Sequence, residues 1–160
     1  MTSTKSSPSR RQAREYALLA LYRSDMAEEP SGLNDLWAAL VDGDGIPDLR
    51  APESEEVEFA QRLVLGVNEH QEAIDAMIES CSTNWRVRRM PLVDRNLIRI
   101  AAFELMFCPD IPGSVSCNEA IELAKRYGTA ESRAFVNGIV DRVGHQLKRL
   151  PERHRSGGEG

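Results

Sequence analysis

Arg10, Arg11 and Arg14 cluster near the start of the chain, and Tyr22 follows them at helical spacing. On a helix from Ser9 to about Met26, Arg10 and Arg14 lie one turn apart on a shared face, while Arg11 and Tyr22 nearly eclipse each other three turns apart. Guanidinium groups pair with phosphates through two parallel N–H donors, and a tyrosine ring stacks on an unpaired base. Together they supply the chemistry of RNA recognition. The arginines also crowd a helix N-terminus, where the macrodipole disfavours cations by about half a kcal/mol, a conflict that a bound anion removes. Tyr22 has a second reading, as an amphipathic residue at the edge of a core.

Any such interface must be local, because the 160-residue chain carries a net charge of −5 and phosphate affinity depends on Lys and Arg. The charges are segregated. Lys5, Arg10, Arg11 and Arg14 open the chain with no acid among them, and Arg86, Arg88, Arg89, Arg95 and Arg99 outweigh Asp94. The stretch from Glu15 to Ala60 is dense in Asp and Glu and contains only Arg23 and Arg50 as cations. Patches of opposite sign can hold phosphate in one place and repel it elsewhere; the same runs also read as solvated faces.

Other chemistries find no footing. Asp42, Asp44, Asp48 and Glu53 mimic some ligand spacings of a calcium loop, but Ile46 takes a ligand position and Pro47 replaces the required glycine. His70, His145 and His154 are dispersed, with no carboxylate or cysteine spaced for a triad or a metal. Cys81, Cys108 and Cys117 suggest neither a disulfide framework nor a zinc site, and a reducing cytoplasm fits them. No phosphate-binding glycine loop or nucleophile elbow is present, so the expectation is a non-enzyme without cofactor. No apolar run is long enough to cross a bilayer, and Met1 to Pro8 is polar rather than signal-like, which predicts a protein with no membrane partner. With 41% hydrophobic residues, a chain of this length supports one domain plus tails.

The elements that must position these residues are helical throughout. In the first helix Ala13, Ala17, Ala20, Leu21 and Ser24 form a narrow buried stripe, with Ser9 as N-cap. Ser31 caps a short second helix carrying Leu33, Leu36, Trp37 and Leu40 and stopped by Gly43, and Asp42 to Pro52 is a loop. Apolar period continues from Ser54 to about Cys81 across Gly66, which predicts one long core helix with a close crossing or a bend at the glycine. A turn with Asn84 and Trp85 leads to a helix from near Pro91 to near Phe107. Ser116 to Glu119 has the form of a capping box, Gly128 is a C-terminal stop, and Thr129 caps a last helix that turns Phe135, Val136, Ile139, Val140, Val143 and Leu147 inward. Asn137 and Gly138 read as structural, one satisfying buried backbone and the other allowing close packing. No alternating pattern of useful length occurs, so the fold class is all-α.

Three segments, in order, resemble the NusB family of transcription antitermination factors: Ser9-Arg-Arg-Gln-Ala-Arg-Glu-Tyr-Ala-Leu-Leu-Ala-Leu-Tyr22, Val93-Asp-Arg-Asn-Leu-Ile-Arg-Ile-Ala-Ala-Phe-Glu-Leu105, and Asn118-Glu-Ala-Ile-Glu-Leu-Ala-Lys-Arg-Tyr-Gly128 followed by Phe135-Val-Asn-Gly138. The resemblance implies a NusB-like fold of two packed helical bundles with about seven helices, in subdomains of about 9–81 and 85–149. Tails 1–8 and 150–160 are expected to be disordered. It implies binding of boxA-type single-stranded RNA through Arg10, Arg11, Arg14 and Tyr22. Glu131, Ser132 and Phe135 match further positions of the family's RNA face, and Phe135 also reads as core. Asp94 matches an acid that contacts the ribosomal protein doubling as NusE, with Arg95 and Glu104 weaker candidates on the same helix. The wider partner would be the RNA polymerase antitermination complex, and a homodimer is compatible with the family. Rival readings are an RNA-binding module related to the N-terminal domain of ribosomal RNA cytosine methyltransferases, and a helix-turn-helix DNA regulator built on the helix pair around Gly128. Against the second, the final helix opens on Ala130-Glu-Ser132 and is apolar along one face.

Overall fold

The computed structural model of the protein describes residues 8–26 and 54–152. They form six α-helices, α1 Pro8–Met26, α2 Ser54–Glu69, α3 Gln71–Cys81, α4 Leu92–Phe107, α5 Gly113–Tyr127 and α6 Ser132–Gln146, with a 3-10 turn at Val87–Arg89. The helix expected after Ser31, the loop from Asp42 to Pro52 and most of both expected tails lie outside the described residues.

Helix α1 buries Ala13, Ala17, Ala20 and Leu21 as its period predicts, and Tyr16 and Leu18 besides. Its small side chains let α2 approach, and Phe59, Ala60, Leu63, Val64 and Val67 fill the contact. The long helix expected from Ser54 to Cys81 is instead two. His70, at φ −107° and ψ 21°, separates α2 from α3. Backbone bonds from His70 to Gly66 at 3.0 Å and from Ile74 to His70 at 2.9 Å keep the break to a bend. Gly66 serves the crossing rather than the bend. A Cβ there would lie 2.2 Å from the Phe103 ring of α4, so only glycine admits that ring.

Helix α4 packs against each of the other five described helices and is buried almost all round, from Asp94 to Leu105. Such a helix is the axle of a helical domain, and its apolar run has no polar stripe of useful width. It begins after Pro91 as expected, and its C-terminal end is held by Arg149, whose guanidinium donates to the carbonyls of Glu104, Leu105, Cys108 and Ile111. Leu150 packs on Gly144 and on the core, so packed structure reaches into the expected tail.

The expected capping box is not one. Helix α5 starts at Gly113, so Ser116 and Glu119 sit inside it, both buried. Gly128 ends α5 as expected, its N–H donating to Ala124 at 2.9 Å. At α6 the polarity is reversed: the Ser132 hydroxyl accepts the Thr129 N–H at 2.9 Å, rather than Thr129 capping the helix. Val136, Ile139, Val140 and Val143 are buried, while Phe135 and Leu147 are partly so. Asn137 is exposed rather than set against buried backbone, and Gly138 has open space where a Cβ would stand, so it does not serve the close packing expected of it. A single apolar cluster draws on all six helices.

Candidate nucleic-acid interface

The opening arginines of α1 separate into different environments. Arg10 lies over the Phe59 ring at 4.4 Å. Arg11, its side chain 49% exposed, makes a bidentate pair with Glu119 of α5 at 2.9 and 2.8 Å. Arg14 is buried. Its Nε and Nη2 donate to the two carboxylate oxygens of Glu104 at 2.8 Å each, its Nη1 stands 3.8 Å from Glu119, and the Ser116 hydroxyl completes the cluster on Glu104 at 2.7 Å. Two sequence assignments are corrected here. Arg14 is not a surface phosphate ligand and Glu104 is not a partner contact, because each neutralises the other in the core.

Beside Arg11 an open groove of about 270 Å³ is lined by Glu122, Leu123, Lys125 and Arg126 of α5. Arg126 reaches back to the buried Glu15 of α1 at 3.3 Å, and the Tyr127 hydroxyl donates to the same carboxylate. Basic side chains of two helices thus meet along one groove with exposed heads.

Tyr22 lies at the far end of α1, roughly 16 Å along the axis from Arg11, and is partly buried. One turn beyond it, Asp25 accepts from Asn96 at 3.0 Å and stands 3.5 Å from Arg95 and Arg99. With Arg14 on Glu104, these contacts run α1 antiparallel to α4. Tyr22 therefore belongs to the end of the molecule where α4 begins.

That end also holds Asp94. It is buried, with its pKa raised by loss of solvent and partly restrained by the neighbouring Ser132 hydroxyl of α6. Its Oδ1 has no hydrogen-bond partner among the described residues, an uncommon state for a buried carboxylate. Ser132, expected to touch RNA, is buried too and serves the α5–α6 turn. Arg95, expected to touch a partner, donates instead to the carbonyls of Val87, Arg88 and Met90 and holds the 3-10 turn. Glu131 is exposed and Phe135 is partly buried, its ring meeting Trp85 edge to face at 5.9 Å between centroids. The candidate RNA residues of α6 and the candidate partner residue Asp94 therefore adjoin. Trp85 and the arginines after it belong to the same end; the sequence offered the signal, an aromatic beside Arg86, Arg88 and Arg89, without placing it.

The family model described as "NusB family" matches residues 11–145. The chain belongs to the NusB family. Among curated relatives, "Transcription antitermination protein NusB" of Myxococcus xanthus is 46% identical over 142 residues, covering 88% of this chain and 97% of its own. The protein of the same name from Trichlorobacter lovleyi is 50% identical over 134 residues, covering 84% and 89%. Among solved structures, NusB of T. maritima superposes with a TM-score of 0.75 at 33% identity, covering 91% of this chain and 99% of that one. A crystal structure of NusB and NusE in complex with double-stranded RNA contributes a chain with a TM-score of 0.74 at 27% identity, covering 86% and 97%. The fold is that of the NusB structures, and no described helix is long and apolar enough to cross a membrane.

Proposed function

We propose that the protein is a transcription antitermination factor that binds boxA-type single-stranded RNA together with a NusE-like small-subunit ribosomal protein, and so promotes readthrough by RNA polymerase in ribosomal RNA operons. The observation that carries this reading is the likeness of the whole described fold to a NusB chain solved with NusE and RNA.

On this reading Arg10 and Arg11 supply phosphate contacts beside the α1–α5 groove, and Tyr22 and Phe135 offer rings to unpaired bases. Glu131, exposed at the start of α6, tempers the approach of phosphate. Asp94, buried beside Ser132 at the start of α4, belongs to the end of the molecule that the ribosomal protein meets on this reading. Arg14, Glu104, Arg95 and Ser132 hold these residues in place. The protein works by binding, without catalysis or cofactor, in the cytoplasm where transcripts are made.

Size-exclusion chromatography of the protein with a boxA-type RNA, with the ribosomal protein and with both tests the reading. A ternary peak that needs all three components is the expected result. The RNA of the solved relative is duplex, so single- and double-stranded forms are run in parallel. Absence of RNA from every protein peak would refute the reading.

A further inference from the structure

The turn between α3 and α4 presents a surface not used so far. Trp85, Arg86, Arg88 and Arg89 are exposed there, Trp85 at 48%. None of these three arginines has an ion-pair partner among the described residues, whereas Arg11 and Arg14 are each neutralised by glutamate. Exposed cations without a carboxylate beside them exert the strongest pull on phosphate.

The turn is also held rigid. The Ser82 hydroxyl donates to the Trp85 carbonyl at 2.9 Å, the Val87 N–H donates to Glu79 at 2.9 Å, and Arg95 grips the carbonyls of Val87, Arg88 and Met90. Val87 and Met90 point into the core, which turns the arginines between them outward. The indole meets Phe135 at an interplanar angle of 80°, a contact that engages one side of the pair and leaves Trp85 half exposed. An ordered, exposed ring beside guanidinium groups with no ion-pair partner among the described residues is the make-up of a single-strand platform.

We propose that Trp85 stacks on a base of single-stranded RNA and that Arg86, Arg88 and Arg89 hold the phosphates flanking it. This rests on the RNA-binding reading above and extends that surface from α6 onto the turn. RNA is favoured as occupant because three exposed arginines beside an exposed ring match a polyanion that carries stackable bases.

The test follows tryptophan emission and RNA anisotropy as a short boxA-type single strand is titrated into the wild type, Trp85→Phe, Trp85→Ala and an Arg88→Ala, Arg89→Ala double variant, each checked for fold by circular dichroism. RNA is expected to quench wild-type emission, and Trp85→Phe, which keeps a ring in the turn, to abolish the quench. Trp85→Ala is expected to weaken binding about 5- to 150-fold at unchanged salt slope. The double variant is expected to lower the log–log salt slope by about 1.4, two contacts at about 0.7 each. Wild-type binding without quench, and equal affinity in Trp85→Ala, would overturn the proposal and leave the RNA-binding reading standing. Loss of ribosomal-protein capture alone in these variants would also overturn it, making the turn a protein contact. No RNA binding by the wild type would remove both.

Discussion

Arg14 and Glu104 are ninety residues apart in sequence and meet in the core through two hydrogen bonds of 2.8 Å. The family resemblance assigns one to RNA and the other to a protein partner; the fold joins them. Breaking a buried pair leaves an uncompensated charge and costs about 3–5 kcal/mol. Arg14→Ala is therefore expected to lower the urea midpoint sharply. Arg11→Ala, which removes a half-exposed pair, is expected to cost about 1 kcal/mol or less. Equal, small losses in both would show that the core tolerates Glu104 alone.

Two helical glycines should respond in opposite ways to alanine. At Gly66 a Cβ collides with the Phe103 ring at 2.2 Å, and that ring is itself packed against Phe107. Overpacking of this kind costs about 1–3 kcal/mol. At Gly138 nothing lies within 4 Å, so alanine only raises helix propensity, by about 0.5–1 kcal/mol. Thermal melts of Gly66→Ala and Gly138→Ala should shift in opposite directions.

Asp94 makes stability depend on pH. Burial raises its folded pKa above the ordinary carboxylate value, so the folded state holds this proton more tightly than the unfolded chain. The stability this contributes is present below the unfolded pKa and is lost as pH rises through the folded pKa. Asp94→Asn should accordingly melt higher than wild type at neutral pH, with the gap closing as the pH falls through the carboxylate range. A variant less stable at neutral pH would mean that the hydrogen bond from Ser132 outweighs the cost of burying the charge.

Cys108 and Cys117 are buried, and loss of solvent pushes both thiols up to about 11. Thiolate is the reactive form, so neither should react with a disulfide reagent at pH 8 in the native protein. Both should react once denaturant is added. Fast native labelling at either position, located by mass spectrometry, would contradict their placement.

Much of this was legible in the chain. The apolar periods of α1, α4 and α6 gave those helices, and Pro91 and Gly128 marked a start and a stop. The arginines could not be sorted by type, because Arg11 and Arg14 differ only in where the helix turns them; adjacency of Arg14 to the buried Ala13 and Ala17 was the available clue. Ser116 and Glu119 satisfy a capping spacing that tertiary contacts overrode, one hydroxyl serving Glu104 and one carboxylate serving Arg11. Asn137 and Gly138 lie on the outward side of α6, which motif resemblance does not reveal. The adjacency of Asp94 and Ser132 depends on helix packing and had no sequence signal.

The central claim is joint binding of RNA and the ribosomal protein. Its most direct measurement is the anisotropy of a labelled boxA-type single strand titrated with this protein, alone and with saturating NusE-like protein, against a scrambled strand. Tighter binding with the ribosomal protein present, and tighter binding of boxA than of the scrambled strand, is the predicted result. Identical isotherms in all four titrations, or no change in anisotropy at all, would contradict it.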